Sequence, residues 1–367
     1  GTWKGTYDSR FNTVMDTLVH GDGSYNEITF SYPRSVILWC MHLHALMKDR
    51  GDTSKGATTL TKKMTALAKY LVDCSMPNHI PPFWGQGEPG SLDDAIRTLL
   101  DSMVAENDNS LTVQNLRYFL DPANGIMPQT HAQYNESKVV SDRTGWTTRD
   151  SFFFMNGKSG GNHTHRDALA MLFYYDGRSL LADTGMTSYD RTHPHFVWQN
   201  ETTRSHNTIE IDGKPQAVQG TIQAGASLGD ISMIANDAAS TVTAWTKTSG
   251  KTIKKGQHST DFTHYRNVAF LKELGDLLIV TDKVVPGDSA SHTYTQNWHT
   301  APYSNATITS DGSGTGKTAY STGVPCVDYC LCVACNLFAK VSFCICFQFL
   351  QDHQQGHPPP NCCSQIA

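Results

Sequence analysis

The chain has 367 residues, of which 39% are hydrophobic, 17% charged and 10% aromatic, a composition that excludes a disordered chain and suits two domains of ordinary size. Its formal charge of -5, from 29 basic and 34 acidic residues, gives no electrostatic reason to expect a nucleic-acid partner. A polyanionic ligand would have to be met by a local cluster of cationic groups, and no 18-residue apolar run free of polar breaks before residue 320 suggests a membrane span.

Residues 1–120 read as helical. Arg34–Lys48 (RSVILWCMHLHALMK) is strongly apolar and closes at Gly51. Within Ala57–Cys74, Leu60, Met64, Leu67 and Leu71 recur at three- and four-residue spacing, the apolar face of one helix. Ser91 opens SLDDAIRTLLDSMV with Asp94 three places on, which predicts a capping-box start. Ser110–Leu120 predicts another helix, stopped by Pro122. Short helices joined by Gly- and Pro-containing loops suggest paired antiparallel helices, as in an α/α barrel or solenoid.

After about residue 125 the period changes. Ser151–Met155, Ala168–Tyr175, Ser179–Ala182, Asn207–Ile211, Thr241–Trp245, Val268–Leu271 and Leu277–Val280 are short β-rich runs, with Gly or Asp in most of the breaks. That spacing predicts an antiparallel β-sandwich of many strands following the helical part. From roughly residue 318 the pattern dissolves into an apolar, Cys-dense segment that holds eight of the ten cysteines within the last 42 residues. Its CxC and CxxC spacings raise a zinc module or a disulfide knot. The lack of turn chemistry, charges and regular spacing favours a tail, 318–367, that is mistranslated or disordered. The expected organisation is therefore 1–122 helical, 123–317 β-sandwich and 318–367 tail. The chain opens on Gly1-Thr2-Trp3-Lys4 with neither a Met nor an apolar leader, which favours a missing N-terminus.

The segment richest in chemistry is Gly160-Gly161-Asn162-His163-Thr164-His165-Arg166-Asp167, feeding the run ALAMLFYY. In an extended segment residues i and i+2 share a face, so His163 and His165 can point into one site. Asp183 ends the run SLLAD, and His206 precedes the run NTIEI. Two histidines and an aspartate at the ends of adjacent strands fit a tetrahedral zinc site with a fourth ligand from water or substrate, against the alternative of a polar pair at a sheet edge. HTHRD also matches the H-x-H-x-D of metallo-β-lactamase-like hydrolases, but Ala168 stands where a further His is needed, and a strand follows where that family starts a helix.

GGNHTHRDALAMLFYYDGRSLLADTGMTSY followed by RSHNTIEIDG resembles the C-terminal β domain of the heparinase II/III-like polysaccharide lyases. THYRNVAFLKELGDLLIVTDKV and SHTYTQNWH resemble later strands of the same domain, and Asp22-Gly23-Ser24-Tyr25-Asn26-Glu27 running to Phe30-Ser31-Tyr32 resembles the family's DG-x-x-x-E…SY segment. The resemblance covers about residues 10–300 and implies an α+β multidomain fold, an incomplete (α/α) toroid followed by an antiparallel β-sandwich. It implies a carbon–oxygen lyase that cleaves a uronic-acid-containing polysaccharide, a uronan or glycosaminoglycan, by β-elimination, leaving unsaturated uronate ends.

By the same resemblance Tyr32 matches the catalytic tyrosine, and His163 a second base for the opposite epimer. His165, Asp183 and His206 match ligands of a zinc ion (Zn2+) that shapes the site. Arg34 is a candidate for lowering the Tyr32 pKa or gripping the substrate carboxylate, and Tyr189 for lining the cleft. The family's Asn/His pair that neutralises the carboxylate should lie well before Tyr32, where no such motif occurs. The expectation is thus a fragment with weak or no activity of its own. A secreted protein is implied, with sequons at Asn135, Asn162, Asn200 and Asn305, although a glycan at Asn162 would obstruct the cleft. Two rival readings stand beside the lyase: a non-catalytic carbohydrate-binding relative and a metal-dependent hydrolase.

Overall fold

A computed structural model describes residues 2–27, 29–51, 55–87, 90–105, 107–157, 163, 165–216, 229–248 and 262–299, together with the strand backbones within 305–349. Asn162 and residues 350–367 lie outside the described residues.

Five helices come first: α1 (Thr2–Leu18), α2 (Ser31–Asp49), α3 (Lys55–Asp73), α4 (Asp93–Ala105) and α5 (Leu111–Leu120). The expected apolar stripe of α3 is the helical core, with Leu60, Met64, Leu67 and Leu71 all fully buried. The hydroxyl of Ser91 accepts from the Asp93 amide at 3.1 Å, so the expected start of α4 is capped there. Asp94 does not close a capping box; it lies 3.9 Å from Arg34.

Strands β1 (His131–Tyr134), β2 (Val139–Arg143), β3 (Phe152–Asn156), β4 (Met171–Tyr175) and β5 (Arg178–Leu181) form a five-stranded antiparallel meander in chain order. Its three inner strands, β2 to β4, are buried on both faces. Val139, Phe152, Phe154, Leu172 and Tyr174 join the helical core. Their neighbours Val140, Phe153, Met155, Met171, Phe173 and Tyr175 point the other way, into a second core. The period of two thus splits apolar runs such as FFFM between two layers, which is why they carry no polar alternation.

The second core is closed by β7 (Gly229–Ala235), β8 (Ala239–Thr248), β9 (Phe262–Leu271) and β10 (Leu277–Pro286), which contribute Ile231, Val242, Ala244, Val268, Phe270, Leu278 and Val280. Helix α6 (Pro194–Glu201) precedes the short strand β6 (Ile209–Ile211), which pairs with β11 (Tyr294–Gln296). Strands β12 (Asn305–Ser310) and β13 (Lys317–Thr322) pair with each other. Strands β14 (Val327–Asn336) and β15 (Lys340–Phe349) fall within the Cys-rich segment, and β15 lies antiparallel to β10 on the side opposite β9. The fold is α+β: a helical layer, a doubly buried sheet and a second sheet completing a sandwich.

One buried network joins the helical layer to the first sheet. The Arg143 guanidinium on β2 donates at 2.6 and 3.0 Å to the carbonyls of Asp73 and Ser75, just beyond the last turn of α3. The Ser141 hydroxyl donates to the same Asp73 carbonyl at 2.8 Å, and the Tyr134 hydroxyl to the Asp73 carboxylate at 2.7 Å. A cation at a helix C-terminus meets its unpaired carbonyls and the negative end of its dipole. Burial pulls the Arg143 guanidinium down to about 10, opposed by Asp73, and Trp146 covers it at 3.8 Å. Replacing it by an apolar side chain removes the donor to the Ser75 carbonyl and leaves the Asp73 carbonyl with Ser141 alone. Arg143→Met is therefore expected to lower stability by about 2–4 kcal/mol, measured as a fall in the urea midpoint at unchanged slope.

Candidate functional site

The site forms where loops leave one end of the first sheet and meet the helical layer. Tyr32 sits in the first turn of α2, and the loop after α3 packs against that turn. A Cβ on Gly87 of this loop would lie 2.8 Å from the Thr29 hydroxyl and 3.1 Å from the Trp84 carbonyl, so only glycine permits the approach. On the β side, His163, His165 and Asp167 belong to the β3–β4 connection, Asp183 follows β5, and His206 precedes β6.

The β3–β4 connection is not the extended segment expected from the sequence. His163 has φ 56°, in the left-handed region that few non-glycine residues occupy. The kink separates the two histidines. His165 is 1% exposed and turned inward, whereas His163 is half-buried and faces the helical side.

There the Tyr32 hydroxyl lies 3.4 Å from His163 Nδ1, with the two rings edge to face at 4.7 Å. The exposed Tyr189 hydroxyl is in short contact with that of Tyr32 and donates to the Gln86 carbonyl at 3.3 Å. Three of the expected residues, Tyr32, His163 and Tyr189, are thus brought together across the helical and β layers. Arg34 takes other partners: its Nε donates to the Ser91 carbonyl at 2.7 Å, and its guanidinium lies near Asp94.

Behind His163, the side chains of His165, Asp183 and His206 converge, with one donor atom from each lying within 4.8 Å of the others. Among the described residues this is the group able to hold a metal ion, and Asp167, the last position of H-x-H-x-D, is not part of it. Among the described residues both ring nitrogens of His165 are buried without a well-formed hydrogen bond, with the Asn200 side chain nearby. Burial, with His206 nearby, pushes the His165 imidazole down to about 3, so it stays neutral with a lone pair to offer. His206 Nε2 lies 3.0 Å from the Gln199 carbonyl, which only accepts, so that nitrogen carries a proton. Its Nδ1 faces Asp183 Oδ2 at 2.7 Å. Two electron pairs at that distance require a cation between them, a second imidazole proton or a metal. Burial alone would lower the His206 pKa, but Asp183 outweighs it and raises it. Asp183, also buried, is held below the usual carboxylate range chiefly by His206. The donor set therefore fits a divalent ion bound by two imidazoles and a carboxylate.

Two residues brace this wall. Asn207 donates to the carbonyls of Met171 and Ala182 at 2.9 and 3.0 Å, and its Oδ1 accepts from the His299 amide at 2.5 Å. Arg266 on β9, fully buried, donates to the carbonyls of Leu169 at 2.7 Å and Asn207 at 2.6 Å. Its remaining nitrogens bind Asp282 at 2.7 and 2.8 Å. Burial would raise the Asp282 carboxyl, but Arg266 and then His264 hold it far below the ordinary range.

Sequence reasoning missed Gln86, Asn200, Gln199 and Arg266. Arg266 is separated from Asn207 by 59 positions and Gln86 from His163 by 77, and no spacing rule connects them. His193 caps α6, its Nδ1 accepting from the His195 amide at 3.2 Å, with Pro194 at the first helical position. The Asn200 sequon is buried and hydrogen-bonded on both sides of its amide, whereas Asn135 is exposed.

A helical layer packed on a β-sandwich is the architecture of the toroid-plus-sandwich proteins. The chain belongs to the heparinase II/III-like family: the model described as "Heparinase II/III-like, C-terminal" matches residues 144–327, half of the chain. Among solved structures it is similar to the heparan sulfate lyase HepC from Pedobacter heparinus (14% identity, TM-score 0.68, covering 94% of this chain and 53% of that one). It is likewise similar to heparinase III (13% identity, TM-score 0.70, covering 96% and 56%). The chain thus spans about half the length of the structures it matches. No curated protein matches it.

The Asp282 carboxylate gives a pH test of the brace. Its folded-state pKa lies below its unfolded value of about 3.9, so its contribution is complete above that pH and is lost as the pH falls toward the folded value. Asp282→Asn is expected to be less stable than the parent at neutral pH, with the gap narrowing below about pH 4, as read from thermal midpoints across a pH series.

Proposed function

We propose that this chain is part of a polysaccharide lyase that breaks a uronic-acid-containing polysaccharide, a uronan or glycosaminoglycan, by β-elimination. The observation that carries the reading is the meeting of Tyr32 and His163, one from each layer, at a half-exposed junction. The C5 proton of a uronate is weakly acidic, so elimination needs a base beside C5 and an acid at the leaving O4. Tyr32, whose oxygen faces His163 Nδ1, suits both protonation of O4 and, for one epimer, removal of the C5 proton. His163 suits removal from the opposite face. Tyr189, exposed at the mouth, suits stacking on the sugar. We assign no carboxylate-neutralising role to Arg34, which is turned to Ser91 and Asp94.

His165, Asp183 and His206 would hold a zinc ion. When bound, the ion would supply charge neutralisation and rigidity to the buried wall behind His163. A secreted, glycosylated protein is compatible with this reading, with Asn135 rather than Asn200 as an acceptor.

Full-length gene product incubated with alginate, heparan sulfate, chondroitin and hyaluronan is expected to release unsaturated uronate ends from one of them, seen as ultraviolet absorbance. Tyr32→Phe is expected to cut that rate by about 10²-fold or more. Saturated products would favour a metal-dependent hydrolase, and binding without product a carbohydrate-binding relative. Elemental analysis of purified protein is expected to give one zinc per chain, lost in His165→Ala and in Asp183→Asn, with a lowered thermal midpoint in both.

A further inference from the structure

Gln86, in the loop after α3, gives every polar group it has to the site. Its amide N–H donates to the His163 carbonyl at 3.1 Å. Its own carbonyl accepts from the Tyr189 hydroxyl at 3.3 Å. Its side-chain Oε1 lies 2.8 Å from His163 Nδ1, and its Nε2 donates to Asn200 Oδ1 at 2.8 Å. A single residue of the helical layer thus clamps His163 at both backbone and ring, at a position held in a left-handed conformation.

The polarity of these bonds follows from the far end of the chain of amides. The Phe196 carbonyl, in α6, can only accept, and Asn200 Nδ2 donates to it at 3.0 Å. Asn200 Oδ1 must then be the acceptor that faces Gln86, so the Gln86 amide presents Nε2 to Asn200 and Oε1 to His163. An amide oxygen opposite a ring nitrogen requires a proton on that nitrogen. His163 is thereby held with its proton on Nδ1 and its lone pair on Nε2. The Tyr189 proton is given to the Gln86 carbonyl, so in the short contact between the two phenols Tyr32 is the donor.

We propose that Gln86 is a positioning residue that sets the tautomer of His163 and the direction of the Tyr32 proton. It leaves His163 Nε2 as the free base and places the Tyr32 oxygen beside an N–H donor. The role of these groups in turnover rests on the lyase reading; the tautomer does not. The same relay couples His163 to α6, whose Gln199 carbonyl orients His206, so the Tyr–His pair and the metal triad share one support.

The test is the ring 15N spectrum of His163 in the neutral form, at about pH 8, with its signals assigned by their loss in His163→Ala. The full chain is expected to show the Nδ1–H tautomer. Gln86→Met, similar in shape but without an acceptor, is expected to lose that preference. Gln86→Glu, which keeps the acceptor toward His163 but adds a charge and places a second oxygen against Asn200 Oδ1, is expected to retain it. In the full-length gene product Gln86→Met is expected to lower kcat by about 10²-fold while KM changes less than about threefold, with Gln86→Glu recovering most of the rate. An Nε2–H tautomer in the parent, or an unchanged Nδ1–H tautomer in Gln86→Met, overturns the proposal. If Gln86→Met is too unstable to study, an Nε2–H or mixed tautomer in Gln86→Glu overturns it equally. A tautomer that responds as expected in a protein without lyase activity keeps the positioning role and removes the lyase reading alone.

Discussion

The rest of the structure depends on a sheet whose inner strands are wet on neither face. Because β3 and β4 bury every residue, each of their side chains is committed to one of two cores by parity alone, and a shift of one residue in register would exchange the two sets. That constraint fixes the helical layer and the second sheet relative to each other, through Phe152 and Phe154 on one side and Phe153 and Met155 on the other. It also decides where function can sit. Neither face is open to a ligand, so the polar chemistry is confined to the loops at the sheet's end.

Those loops must then be held without a core of their own, and the molecule uses buried charge to do it. Arg143 and Arg266 play parallel parts at opposite faces. Each is buried on a strand, and each spends its fork of donors on backbone carbonyls of remote segments. An arginine suits this because a planar fork can meet two carbonyls and a carboxylate at once, where a lysine offers a single point. Its burial would be unfavourable alone; the carbonyls and, for Arg266, the Asp282 carboxylate offset the lost hydration. The carbonyls of Leu169 and Asn207 that Arg266 binds flank the triad in the chain, so the brace acts on the site through the backbone.

This division explains what could be read from the sequence. Helices α2 to α5 were legible because their apolar residues repeat at three and four against a single core. The strands β3 and β4 were legible as apolar runs, although the sequence alone could not say that they face two layers. β2 was not: VVSDR is entirely buried, yet three of its five residues are polar, since Ser141 and Arg143 take partners at the end of α3 and Asp142 pairs with Lys272. Helix α6 was also missed, although Pro194 and the preceding His193 formed a start signal. The residues of the site were legible where they share a local motif, as in His163, His165, Asp183 and His206. Gln86 was not, because its importance lies in which atoms face which across the fold.

The two histidines of the NHTHR motif show why spacing alone was insufficient. Two residues apart in an extended chain, they would share a face and compete for one ligand set. The left-handed turn at His163 rotates them into different environments. His165 enters a buried pocket where burial suppresses its proton and leaves a lone pair to offer. His163 emerges toward Tyr32, where Gln86 supplies an acceptor for Nδ1. A local strain of order 1 kcal/mol thus separates a fully buried imidazole from a half-buried one within three residues. It is tolerated because Gln86 holds the strained residue by its carbonyl as well as its ring.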